Sequence, residues 1–318
     1  MKVTNAPAFK KFQSKRKLWR DCMSGNDISS VYNQISDMMW DASIWHVINH
    51  SRQYAGKRAD GRLSINGPAH NLINRCFFDQ QMLSLRRLVD KAGLYGEGGV
   101  HSLGSVLQDM VDNSHLLTRE HFLADEKVPF DLEPIKQAQA EWSRTCPSKE
   151  GELPAIPRKL MWQVHEYRHG DLDRLCGVGP ETRSPHDLVR VELLTRLQKM
   201  LADACEDVKT YVDKRVAHAA TPDSRRVMDE KAASLTLGHI KSAQKVVCRV
   251  AGFVDLHLVS NTGHVGLVPS PTFNHLEDLD HPLVPSGRMP SASDAWREFR
   301  EETSSWRSLA FEELQVEE

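Results

Sequence analysis

Residues 186–218 read HDLVRVELLTRLQKMLADACEDVKTYVDKRVAH. Apolar side chains recur there at Val189, Leu193, Leu197, Met200, Ala204, Val208 and Tyr211. Steps of three and four hold one side of an α-helix, so the stretch predicts a single long helix with a buried seam. The rest of the chain is organised around it. The same steps next reach Arg215 and then His218, so the apolar face runs out into two polar groups. That end is where the sequence places a polar cluster.

At 318 residues the chain can bury a large core in one or two domains, and of the whole sequence 40% is hydrophobic and 26% charged, ordinary proportions for a globular chain. A net charge of −2 gives no global argument for nucleic acid. The charge is unevenly spread, however. Residues 1–20 carry seven Lys or Arg and no acid, and residues 291–318 carry eight acids and three Arg. The basic end reads as a solvated helix face or frayed terminus, with a phosphate-binding arm as the functional alternative. Cys22, Cys76, Cys146, Cys176, Cys205 and Cys248 form no CxxC pair and sit mostly at helical apolar positions. They read as reduced core residues of a cytoplasmic protein. No apolar run approaches the roughly 18 residues of a membrane span, and the basic N-terminus lacks the apolar segment of a secretion signal.

Helical spacing recurs elsewhere. Asn26 and Asp27 offer a cap for a helix running to Tyr54 through Ile28, Val31, Ile35, Met38, Ala42 and Trp45. After a glycine-rich loop, Pro68 opens a helix to about Ala92 whose apolar residues cover most of its circumference, from Leu72 to Val89. A helix apolar on so many sides belongs near the centre of a bundle. Asp79, Arg86 and Asp90 share one of its sides as a polar strip, with Arg87 beside them. Ser102 caps a shorter helix, and Ser234 or Thr236 a last long one through Leu258 that pairs antiparallel with the organising helix. Prolines and charges break the pattern after Pro129. The expected architecture is therefore all-α: a basic segment over 1–17, a helical domain over 18–260 with an irregular excursion at about 129–185, a proline-rich linker over 261–290, and an acidic helix and tail over 291–318.

The segment Asp213-Lys214-Arg215-Val216-Ala217-His218, at a helix end before a polar loop and a second long helix, resembles the signature region of HEPN domains. The similarity is closest to the abortive-infection subgroup of bacterial proteins and extends loosely over residues 27–260. Ser84-Leu85-Arg86-Arg87-Leu88 and Thr236-Leu237 support it. The resemblance implies a helical bundle that forms a homodimer and binds RNA, in many members as a metal-independent ribonuclease of antiviral or stress defence, without a cofactor and sometimes with a protein partner such as an antitoxin. The family motif is an Arg, a polar residue and a His. Here His218 matches the His and Asp213 the polar residue, while the Arg falls at about Val212. The cation comes instead from Arg215, three residues before His218 and on its side of the helix, or from Arg86 or Arg87 on the central helix. With His218 as acid or base, Arg215 is the expected phosphate-stabilising cation, Asp213 orients the site, and Lys214, Arg86 and Arg87 bind substrate. The chemistry stands apart from the resemblance: a 2′-hydroxyl attacking its adjacent phosphate needs a group near neutral pKa to move a proton and a cation to stabilise the developing charge, and His and Arg fill those roles. Cations in a last helical turn are also favourable whatever the function.

A rival motif is His165-Glu166-Tyr167-Arg168-His169, of HExxH form. On a helix its two His lie one turn apart and can share a zinc ion, with Glu166 activating bound water. Neither Glu181 nor Glu192 is compellingly spaced as a third ligand, and Arg168, Gly170 and Asp171 mark the helix as a solvated face. A third reading is a non-catalytic helical scaffold, with Trp142, Trp162, Trp296 and Trp306 available to anchor a partner.

Overall fold

The computed structural model describes residues 3–57, 59–61, 66–145, 157, 161–216, 235–259, 268, 270–274, 277–279, 281 and 287–304. The chain divides into two units, Met1–Pro269 and Ser270–Glu318. The first holds α1 (Ala6–Ser24), α2 (Val31–Ser51), α3 (Gly67–Leu88), α4 (Leu103–Asp112), α5 (Arg119–Asp125), α6 (Glu133–Thr145), α7 (Trp162–Cys176), α8 (Val191–Tyr211) and α9 (Leu237–Phe253). The second holds α10 (Met289–Ser304), on which Trp296 and Phe299 are exposed. An isolated antiparallel bridge joins Thr118 and Leu188, and among the described residues no helix is long and apolar enough to cross a membrane. The architecture is an all-α helical bundle.

The organising helix is shorter than its sequence pattern. It starts at Val191 and passes after Tyr211 into a π-helical turn, Val212–Val216. It packs against α9, α4 and α3. Three neighbours draw the buried seam along Leu194, Leu197, Leu201, Cys205 and Val208 to Val212, with Leu193, Met200, Ala204 and Tyr211 flanking it half-buried. The seam continues through Val212 to the partly buried Val216, and Arg215 stands off it, exposed.

The all-round apolar pattern of α3 turns out to be two halves. Met82, Leu85 and Leu88 near its C-terminus are buried, whereas Leu72 near its start is exposed. Close approach at the buried end fixes α4. Ser102 caps that helix by accepting from Ser105 N at 3.0 Å and donates to Asp90 O at 2.6 Å. A Cβ on Gly104 would lie 2.3 Å from the same Asp90 carbonyl, so only glycine lets the two helices meet there.

Two expectations are corrected. The basic segment over 1–17 is not a frayed end: α1 has a solvated face that carries Lys10, Lys11 and Lys17, and an inner face that buries Phe12, Arg16 and Trp19 in the core. The stretch 129–185 is not simply irregular: it carries α6 and α7, and α7 is fastened to the bundle by buried charge pairs beside the core contacts of Leu172 and Leu175. Fully buried Arg119 reaches Asp173 at 2.8 Å and Asp187 at 2.9 Å. Arg183 reaches the same Asp173 at 2.7 Å and Glu166 at 2.9 Å. Arg168 grips Glu126 and donates to His257 O at 3.0 Å. Arg16 joins Glu126 and lies 2.8 Å from Asp125. Burial alone would raise the Glu126 pKa, but the hydrogen bonds and charges of Arg168 and Arg16 outweigh it and hold the carboxyl below its usual range.

Candidate functional site

The polar cluster at the end of α8 is built from two segments far apart in sequence. The last turn of α3 carries Arg86, and the π-helical turn after α8 carries Asp213. Arg86 Nε lies 3.4 Å from Asp213 Oδ1, while its Nη1 donates to Asp90 Oδ2 at 2.9 Å, one turn on. Burial disfavours the guanidinium charge, and the two carboxylates outweigh that effect, so the Arg86 pKa is raised and the group stays charged. Asp90 is held low in return: burial opposes its ionisation, and the hydrogen bond and charge of Arg86 prevail.

Beside this pair opens a cavity of about 470 Å³ between α3, α4 and α8. Arg86, Lys91 and Lys209 line it together with Asp90, Asp203 and Glu206. Three cations and three carboxylates share the wall, so the cavity is suited to a ligand with both donors and acceptors rather than to a bare anion.

The other site residues divide. Arg215 is exposed, its guanidinium carbon 5.7 Å from the Tyr211 ring centre, one turn back on the same helix. Lys214 is half-buried between Asp213 and Arg215. Arg87 lines a different cavity of about 540 Å³ with Asp37, Asp90 and His101. His218 lies outside the described residues, as do Cys146 and the loop that follows the organising helix. Arg86 and Asp213 are thus brought together, and Arg87 is not part of their cluster. Asp90 completes the cluster; the sequence shows it only as the i+4 neighbour of Arg86. The Val212 departure has a packing reason. That residue is 2% exposed, inside the hydrophobic core, where an unpaired guanidinium could not be accommodated.

The HExxH segment lies on α7, but the face is not solvated as expected. His169 is fully buried; its Nε2 donates to Pro129 O at 3.0 Å, and burial lowers its pKa so that the ring is neutral. Glu166 is committed to Arg183. Among the described residues no group of three or more His, Cys, Asp or Glu is placed to hold a metal ion. Two of the three side chains that zinc chemistry would need, His169 and Glu166, are used to fasten α7, and the third, His165, is half-buried.

Compared with known protein families, with curated proteins and with solved structures, the chain matches none.

Proposed function

We propose that the protein binds RNA and cleaves it without a metal, using the cluster at the end of α8. The observation that supports this reading is the Arg86 to Asp213 contact. A cation missing from position 212 of the motif is supplied by a neighbouring helix, beside the one motif carboxylate whose placement is described. In the reaction His218, assigned from the sequence motif, takes the proton of a ribose 2′-hydroxyl. The 2′-oxygen bonds to the adjacent phosphorus, the bond from phosphorus to the 5′-oxygen breaks, and the leaving oxygen takes a proton from solvent water, whose hydroxide is neutralised by the proton His218 gives up. The products carry a 2′,3′-cyclic phosphate and a 5′-hydroxyl. Arg86 stabilises the extra negative charge on the phosphoryl oxygens, Asp213 and Asp90 fix its guanidinium, and the exposed Arg215 and Lys214 track the RNA backbone. A homodimer and a defence role in bacteria follow from the HEPN resemblance and belong to the same proposal.

The test is incubation of end-labelled structured RNAs with the protein in EDTA. Cleavage to cyclic phosphate ends, lost on His218→Ala and reduced about 10²–10³-fold on Arg86→Ala, is the expected result. Arg215→Ala should weaken RNA affinity and its salt dependence more than the rate.

A second reading, a helical interaction scaffold, is favoured by Val212 lying in the core in place of a motif cation. RNA left intact by the wild type, with the fold unchanged in all three variants, would select it.

A further inference from the structure

A second cavity is larger and of different character. It is an open groove of about 740 Å³ along α9, with α2 opposite and the first half of α3 contributing Phe77. Met39, Trp45, Phe77 and Ile240 give it an apolar lining. Lys241, Lys245 and Arg249 form its rim, spaced by four residues along α9, all exposed and without an ion pair or hydrogen bond among the described residues. At 1.5 Å per residue they make a line of three charges about 12 Å long beside an apolar trough. We infer that this groove docks an acidic amphipathic helix of a protein partner.

Three features select that occupant. An apolar trough needs an apolar face to cover it, and a line of unpaired cations needs carboxylates repeated at the same interval. An α-helix with Glu or Asp at i, i+4 and i+8 beside a Leu or aromatic stripe supplies both at matching pitch. A single-headed anionic amphiphile would meet one of the three cations and leave the others unpaired. Single-stranded nucleic acid needs aromatic faces open for stacking. Here the Trp45 ring is stacked on Phe77, centres 4.4 Å apart and planes at 7°, and its Nε1 donates to Asn74 Oδ1 at 3.2 Å. A second copy joined by a two-fold axis through this face would set Lys241, Lys245 and Arg249 against the same cations. The site is independent of the ribonuclease reading, because Arg86, Asp213 and Arg215 are not among its lining residues.

The experiment uses the full chain and a fluorescein-labelled designed peptide of about five helical turns, with Leu and Trp on one face and Glu at four-residue intervals beside it. Controls are the same composition in scrambled order and a version with Lys for Glu. Saturable binding of the acidic amphipathic peptide alone is expected. The triple variant Lys241→Glu, Lys245→Glu, Arg249→Glu should weaken it at least about tenfold, since three exposed pairs each add a modest factor. Ala42→Trp, which fills the groove without changing charge, should weaken it as well, with helicity and melting temperature of both variants checked. Equal binding of the scrambled peptide, unchanged affinity in both variants, or no binding at all would overturn the inference. So would a single-stranded RNA or a fatty acid that binds in place of the peptide with the same sensitivity to the two variants.

Discussion

Arg168 holds the Glu126 carboxylate with two donors, Nε to Oε2 at 2.6 Å and Nη2 to Oε1 at 2.7 Å. Arg16 reaches the same carboxylate from α1, and both guanidinium groups lie over the Phe122 ring, at 5.4 and 5.1 Å. One carboxylate therefore ties α7 to α1 through the end of α5. Replacing Arg168 by Ala leaves the largely enclosed Glu126 carboxylate without its two-donor partner. The expected loss is about 3–5 kcal/mol in urea unfolding, the range for breaking a buried pair from one side. Adding Glu126→Gln to Arg168→Ala should recover part of that loss, because the stranded charge is gone; purely additive losses would show that the contact is not energetically coupled.

The same network explains what the sequence could and could not disclose. Helices α2, α3 and α8 were legible because their inner faces are apolar and repeat at helical spacing. For α7 the inner face is largely Arg168, His169, Asp171 and Asp173 with Leu172 and Leu175, so a search for apolar periodicity reads its buried side as a solvated one. Arg16 misled in the same way, a cation counted toward a solvated face that is 1% exposed. The seam of α8 was read one position off at its end. The offset already runs along the helix, where Leu194, Leu201 and Cys205 are buried and Leu193, Met200 and Ala204 only flank them, because three neighbouring helices cover more than one stripe; the seam therefore reaches Val212 and Val216 and leaves Arg215 exposed. The pairing of Arg86 with Asp213 joins residues 127 positions apart, and no local pattern specifies such a contact.

Gly104 sets the distance between α4 and the end of α3, which carries Arg86 and is followed two residues on by Asp90. Gly104→Ala would push a methyl group into the Val89 and Asp90 carbonyls, at 2.6 and 2.3 Å, and neither backbone atom can turn aside. We expect a loss of about 1–3 kcal/mol from overpacking, despite the better helix propensity of Ala. If the ribonuclease reading holds, RNA cleavage should fall in the same variant. Urea midpoints measured beside Gly170→Ala, a helical glycine with open space at its Cβ, provide the control; equal effects at both sites would refute the close-approach argument.

The cysteines should separate by reactivity. Burial pushes the thiols of Cys22 and Cys205 up to about 12 and that of Cys176 up to about 11, so they are protonated as well as inaccessible. Cys76 on α3 is exposed, contrary to its expected place in the core. Brief alkylation of the native protein at neutral pH, read by peptide mass spectrometry, should label Cys76 and leave those three unmodified until denaturant is added. Early labelling of Cys22 or Cys205 would mean that the packing of α1 or α8 opens far more readily than their burial implies.

Asp255, in the π-helical turn that ends α9, is 4% exposed and hydrogen-bonded to Tyr32, and its Oδ1 is buried without a partner. Burial pushes its pKa from an ordinary 3.8 up to about 6, with the Tyr32 hydrogen bond and the Arg20 charge only partly offsetting it. The folded chain then holds this proton more tightly than the unfolded one. The cost of ionising Asp255 is absent below the unfolded pKa, grows as pH rises toward the folded one, and is constant above it. Asp255→Asn removes the titration and keeps a group of similar size. Its stability relative to wild type should improve on the order of 2–3 kcal/mol between about pH 4 and pH 7.5, whatever the offset at low pH. Urea titrations of both proteins across that range give the comparison, and a difference that stays flat with pH would mean that Asp255 is solvated in the folded state.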